Sequence, residues 1–387
     1  MSINLDKTKI DIVELLKIFS SNTGIYDLVN FYGDSALNRE ATEIDIFSLP
    51  DGKNQIIIAD NGTIPKDFIV DKGIELNHLK KYCPYIFYTS SISNEFSLSY
   101  YQENKINKCI KFNLNNKNQD QINSNTSEIY DEFLLKKTKS SSSFFAISFV
   151  VENFETYKKL TSKLLNNFTF RYHKLLNKKK LTIISLPERK YYRPYDPLFE
   201  NCDLTRKGKT IQFRGSVKLD MRYHIIPKSI NKEIIQKSCP NKTLDSSSGL
   251  FFYNKDGILL NRPNFFNLER ELNISQNIKE KNIRYVKLEI KSIENDIFDE
   301  SDIYNIMNDK FLRKQIISLL EEAATKVPQE IKIIEKDHEA EKKKIIINRI
   351  HKFFEKNENK NECIQELTSL FPYENDKKII LELVNAR

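Results

Sequence analysis

Residues 26–47 read YDLVNFYGDSALNREATEIDIF, and residues 55–65 read QIIIADNGTIP. The first half of this stretch spaces its apolar residues at three and four, which predicts a helix over Gly24–Leu37. ATEIDIFSLP (41–50) then alternates and reads as a strand. Asp51-Gly52 supplies a turn, and the β-branched run NQIIIAD (54–60) reads as a buried strand. Helix, strand, hairpin and strand in this order predict an α+β layer.

The same stretch places chemistry at fixed points. A carboxylate at a strand end, Asp60, can accept a hydrogen bond from an amino group, and Gly62 beside it lets a ligand approach the backbone. Asp60-Asn61-Gly62 is also an ordinary turn sequence after a strand.

In this order the residues resemble the GHKL superfamily of ATPases (DNA gyrase B, the heat-shock chaperone, histidine kinases, MutL), and in particular its MORC-like prokaryotic branch. The resemblance puts Asp27 on the catalytic Glu and Phe31 on the magnesium-binding Asn. Asp34 and Ser35 fall on the Asp-Ala pair and Ala41–Ile46 on the strand ATEIDI. Asp60, Asn61 and Gly62 fall on the adenine-binding turn. It extends down the chain: Tyr195-Asp196-Pro197-Leu198-Phe199 matches the motif YDPLF, GLFFYNKDGILLN (249–261) resembles a second-domain hairpin, and Arg284–Ile290 a following strand. The implied architecture is a Bergerat-type ATPase domain (1–185), a transducer-like α/β domain (186–315) and a helical C-terminal extension (316–387). The implied cofactor is ATP with Mg²⁺. The implied behaviour is a nucleotide-dependent switch that dimerises or works in a multi-protein complex, with nucleic acid or phage defence as its setting.

The pattern also breaks. Phe31 cannot ligate a metal, so the resemblance yields no metal residue. Asp27 is one methylene shorter than Glu. The glycine-rich phosphate lid of the family is missing, since no glycine stands between Gly73 and Gly208. Only the hydroxyls of Ser90, Ser91 and Ser93 remain nearby, and Ser142-Ser143 replaces a Gly-Thr pair, leaving the Ser143 hydroxyl near the adenine. Three readings stay open: a degenerate ATPase that binds nucleotide weakly or not at all, an active ATPase with a rearranged metal site built on Asp34 or Asp27, and a non-enzymatic scaffold that retains the fold. Phe31 is expected in the core in each case.

The remaining composition limits the choice of class. With 387 residues, 61 Lys and Arg against 53 Asp and Glu and a net charge of +8, the chain permits anionic partners without demanding them. No apolar run approaches a bilayer span, and the N-terminus does not read as a secretory signal; a cytoplasmic protein without membrane contact is expected. Five scattered cysteines and five dispersed histidines show no metal spacing, so the histidines are expected at the surface or at caps. Further elements expected are a helix over 9–21, strands at YIFYTS (85–90), FSLSYYQ (96–102) and KCIKFNL (108–114), and a polar loop at 113–127. Beyond it come a strand at 143–151, a helix at 153–177, and strands at 181–186, 210–219, 222–226 and 283–293. Charged amphipathic helices fill the tail, with breaks at Pro328 and the Asn-rich segment after Lys356.

Overall fold

The computed structural model describes residues 24–49, 54–65, 68, 81–103, 106–113, 131–200, 205–208, 210–215, 217–226, 249–260, 285–294, 300–355, 359–371 and 374–386. The helix expected at 9–21, the Asp51-Gly52 turn and nearly all of the 113–127 loop lie outside them.

Helix α1, Ile25–Asn38, begins after its N-cap Gly24, whose backbone is extended. Leu28, Val29, Tyr32 and Ala36 recur at helical spacing and are buried. Gly33 sits on the same side because a side chain there would stand 2.2–2.6 Å from the Tyr172 ring. After Arg39 the chain reverses through Glu40 in the left-handed region (φ 62°) and enters β1, Glu43–Leu49.

β1 pairs antiparallel with β2, Gln55–Asp60, and parallel with β6, Thr182–Leu186. With β3 (Glu95–Gln102), β4 (Ile106–Asn113), β5 (Ser143–Val150) and β7 (Lys190–Tyr191) they form a seven-stranded sheet of order β4-β3-β5-β2-β1-β6-β7. Alternation along the strands decides which face is core. Ile44, Ile46, Ile56, Ile58, Phe145, Ile147 and Phe149 point to the face covered by helices and join Leu28, Val29, Tyr32 and Phe168 in the main core. Ile57, Ala59, Phe144 and Ala146 point the other way, into a small core with Leu134. At roughly 1.5–3 kcal/mol per buried large apolar side chain, the helix-covered face dominates. The α+β expectation holds.

Helix α2, Tyr85–Thr89, packs against α1. The sequence reading made YIFYTS a strand; a six-residue run with four apolar residues in a row has no period of its own, and Pro84 opens a helical turn there. Helix α3, Glu132–Thr138, is capped by Asp131, whose carboxylate accepts the Phe133 and Leu134 N–H groups. The helix expected at 153–177 is two: α4, Phe154–Arg171, and α5, His173–Asn177, parted at the buried Tyr172 (φ −99°, ψ 16°).

The chain divides into two compact units. The first holds Met1–Pro197, Phe252–Pro263 and Lys291–Ile303; the second holds Leu198–Phe251, Asn264–Ile290 and Tyr304–Arg387. In the second part of the chain, β8 (Arg206–Lys207), β10 (Lys218–Ile225), β11 (Gly249–Tyr253) and β12 (Val286–Ser292) line up in the order β11-β12-β10-β8, and β9 (Ile211–Arg214) pairs with β10. The expected strands at 210–219 and 222–226 are therefore a β9–β10 hairpin turning at Gly215, with the second run continuing β10.

Helix α6 spans Glu300–Met307, and α7 runs unbroken from Lys310 to Phe354. The break expected at Pro328 does not occur. A proline inside a helix costs about 3 kcal/mol, and the turns before it bury Leu312, Ile316, Leu319, Leu320, Ala323 and Val327, more than enough to offset that. The Asn-rich break is present: Asn359 caps α8, Lys360–Leu370, and α9 follows at Glu374–Asn385. Ile346, Ile350, Cys363, Leu367, Ile380 and Val384 make the small core these helices share. Among the described residues, no helix is long and apolar enough to cross a membrane.

Candidate functional site

The register Ile44↔Asp60 brings the end of β2 beside the start of β1, just after α1 has delivered Arg39. Asp60 is fully buried there. Its Oδ2 lies 2.6 Å from a terminal nitrogen of the Arg39 guanidinium, itself 4% exposed. Its Oδ1 accepts the Gly62 N–H at 2.8 Å. Both carboxylate oxygens are thus committed to the chain itself.

Arg39 is gripped on several sides. Its guanidinium carbon sits 4.1 Å above the centre of the Phe145 ring, and its other terminal nitrogen donates to the Tyr82 carbonyl at 3.2 Å. Its Nε is buried with no hydrogen-bond partner. Burial, the largest single influence, works against its charge, but Asp60 together with Tyr85, Cys83 and Tyr32 raises its pKa above the ordinary arginine range.

The turn after Asp60 wraps the same residue. Thr63 donates its N–H (2.9 Å) and hydroxyl (3.2 Å) to the Arg39 carbonyl. A side chain at Gly62 would stand 2.8 Å from Asp60 Oδ1 and 2.9 Å from Arg39 Cβ, so close approach, rather than left-handed backbone, explains this glycine. Asn61 accepts the N–H groups of Thr42 and Glu43 at 2.9 and 3.0 Å, latching the turn to β1. Ser143 donates its hydroxyl to the Gly62 carbonyl at 3.0 Å. The structure therefore brings Asp60, Asn61, Gly62 and Ser143 together, bonded to one another, to β1 and to Arg39.

Aromatic side chains fill the surroundings. Tyr32 is fully buried and directs its hydroxyl to the Ile58 and Phe145 carbonyls at 3.0 and 3.1 Å. Burial, with Asp60 adding to it, raises its pKa well above the usual tyrosine value. Tyr85 packs on Tyr32 at 4.7 Å, and Phe68 meets Phe145 and Tyr100 edge-on at 5.1 Å each. The thiol of Cys83 is buried as well, and burial pushes it up to about 12.

The other candidate residues serve elsewhere. Asp27 accepts the Gly24 N–H at 3.0 Å, a helix-start contact in which its charge also favours the positive end of α1. Asp34 accepts the Arg171 guanidinium at 2.7 Å and the Tyr172 hydroxyl at 2.8 Å. Phe31 is not in the core: it is 37% exposed and stacks on Tyr88 at 4.3 Å, with rings 10° from parallel. That stack stands where the resemblance would require a metal ligand.

The three lid-region serines spend their hydroxyls on nearby carbonyls: Ser90 on Phe87, Ser91 on Tyr88, Ser93 on Glu95 and Val150. They line a cavity of about 470 Å³ with Glu95, Val150 and Glu152. Ser143 and Val150 are opposite ends of an eight-residue strand, roughly 24 Å at about 3.4 Å per residue. A second cavity, about 860 Å³, lies on the other face of the sheet. Its wall includes the buried Asp45–Lys137 pair at 2.5 Å. Burial raises the Asp45 pKa, with Lys137 opposing. Asp60 lines neither cavity.

Arg39 is the residue the sequence reading missed, although it lies inside the quoted stretch. Its only signal is position, a buried-length cation between the helix and the strand that meets the Asp60 end.

No family model matches the sequence, and no curated protein does. Among solved structures the chain is similar to the N-terminal domain of a DNA repair protein, at 12% identity over 81% of this chain and 99% of that one, with a TM-score of 0.41. It is also similar to the Aquifex aeolicus MutL ATPase domain complexed with ADP, at 13% identity over 76% and 96% of the two chains, with a TM-score of 0.36. Likeness at that level assigns no function.

Proposed function

We propose that this chain is a GHKL-like protein whose nucleotide corner has become an internal latch, and that it works as a non-enzymatic scaffold or interaction subunit. The observation that supports this most is the buried Arg39–Asp60 pair. An adenine amino group can reach Asp60 only by displacing the guanidinium. Parting a buried ion pair costs about 3–5 kcal/mol, and every 1.4 kcal/mol is about tenfold in affinity. A micromolar nucleotide site would thereby fall to roughly the millimolar range. The Phe31–Tyr88 stack offers Mg²⁺ no ligand, and Asp27 serves the helix start instead of an attacking water.

The partner on this reading is a protein, either a second copy or a different chain. The MORC-like branch, a phage-defence setting and a nucleic-acid partner rest on the motif resemblance alone. The rival is an ATP-driven switch, which would need Arg39 to let go of Asp60 on each cycle. A phosphate-release assay at millimolar ATP and Mg²⁺ separates the two. The scaffold reading expects the same background rate for wild type and Asp27→Ala; turnover by wild type that disappears in Asp27→Ala would overturn it.

A further inference from the structure

The second unit holds a cluster that the nucleotide reading does not use. His224 on β10 and Glu289 on the neighbouring β12 stand side by side, imidazole Nε2 to carboxylate Oε2, at 3.1 Å. Glu200, from the segment before β8, joins them, and one ligand atom from each residue lies within 4.8 Å of the other two. We propose that Glu200, His224 and Glu289 bind a divalent first-row transition ion, with Zn²⁺ the best match.

The spacing is the first argument. Two donors on one tetrahedral ion, at bonds of about 2.0–2.2 Å, stand roughly 3.3–3.6 Å apart. The His224–Glu289 separation, 3.1 Å, would have to open slightly, and a rotation of the Glu200 side chain, now within 4.8 Å, would close the third side. Two of the ligands ride on hydrogen-bonded strands, so their positions are held before any ion arrives; the third comes from a connecting segment.

Burial is the second argument. The His224 side chain is fully buried, that of Glu289 is 12% exposed and that of Glu200 30% exposed, so the cluster opens on the Glu200 side. His224 Nδ1 is buried with no hydrogen-bond partner. The ring is therefore held through Nε2 alone, and an unused buried nitrogen is unfavourable. A metal bond at Nε2 leaves that nitrogen as it is; what favours the ion is a buried, positionally fixed imidazole beside two carboxylates.

The donor set selects the ion. One imidazole nitrogen and two carboxylates match Zn²⁺ or Mn²⁺ and neutralise a divalent charge, whereas Ca²⁺ and Mg²⁺ favour oxygen-only shells and Cu(I) favours sulfur. Three protein ligands leave a coordination position for water. Lysines compete for the same carboxylates. Lys207, opposite His224 across the β8–β10 ladder, places its ammonium 3.6 Å from Glu200, and the buried Lys287 lies two residues before Glu289 on the same strand. If ion pairing with these lysines is the whole role of the carboxylates, no metal binds.

The test uses the full chain, stripped with chelator and titrated with ZnCl₂ in a calorimeter, alongside Co²⁺ as a spectroscopic substitute. The expected result is one equivalent of Zn²⁺ per chain, with affinity falling by about tenfold or more in Glu289→Gln and His224→Asn. Bound Co²⁺ should show visible d–d bands without thiolate charge transfer. Should His224→Asn fail to fold, Glu200→Gln, on a partly exposed segment, gives the same reading. No uptake by wild type, equal affinity in wild type and Glu289→Gln, or a thiolate signature from the cysteines would each overturn the assignment.

Discussion

Arg39 carries more of the structural argument than any other side chain, and its substitution gives the sharpest residue-level expectation. Arg39→Ala strands the buried carboxylate of Asp60 and should cost about 3–5 kcal/mol, read as a lower urea midpoint at unchanged slope. Arg39→Met combined with Asp60→Asn should recover a large part of that loss, because no uncompensated charge is left and the asparagine can still accept the Gly62 N–H. Equal losses in the single and double variants would contradict the pairing. Cys83 gives a pH-dependent expectation. Its folded-state pKa is raised by burial from 9.0 to about 12, so the folded state holds a proton that the unfolded chain releases first. This contribution to stability is complete below about pH 9 and is lost as pH rises from 9 towards 12. Over that window Cys83→Ala should lose stability less steeply than wild type in denaturant titrations. Parallel curves would show that the thiol is not the titrating group.

At the level of elements, the Asp60–Thr63 turn and the C-terminal helices make different claims. Gly62→Ala would push a methyl to within 3 Å of Asp60 Oδ1 and Arg39 Cβ, and should lower the melting temperature by several degrees through overpacking of about 1–3 kcal/mol. An unchanged melting temperature would mean that the turn is looser than drawn. In the tail, Leu367→Ala removes a buried side chain from the cluster of α7, α8 and α9. A cost of about 2–5 kcal/mol should appear as faster amide exchange confined to α8 and α9, the strands of the first sheet remaining protected. Elements with a clear period were legible in the sequence: α1, β1 and β2 follow from the alternation and spacing of residues 25–60. Elements without one were not. YIFYTS is too short and too uniformly apolar to distinguish strand from helix, and α7 passes Pro328 because tertiary burial outweighs a local penalty.

For the molecule as a whole, Asp60, Asn61 and Gly62 stand out as one short motif in the sequence, whereas Ser143 is joined to them only by a resemblance 81 residues further on. The sequence cannot show that the corner where they meet is already occupied. The Arg39–Asp60 contact depends on strand register and on where α1 ends, and neither leaves a motif. The buried His224 is hidden for a similar reason: its neighbours Glu200 and Glu289 lie far along the chain and meet it only once β8, β10 and β12 are assembled. Scattered histidines read as surface residues until a sheet gathers their partners. On the proposed reading, the chain is a scaffold that keeps its α+β fold while spending the polar groups around Asp60 on its own stability. Calorimetric titration of the wild-type chain with ATP and Mg²⁺ tests that claim most directly. The account predicts no saturable heat below millimolar ATP, and it is contradicted by one-to-one binding at micromolar ATP that Asp60→Asn abolishes.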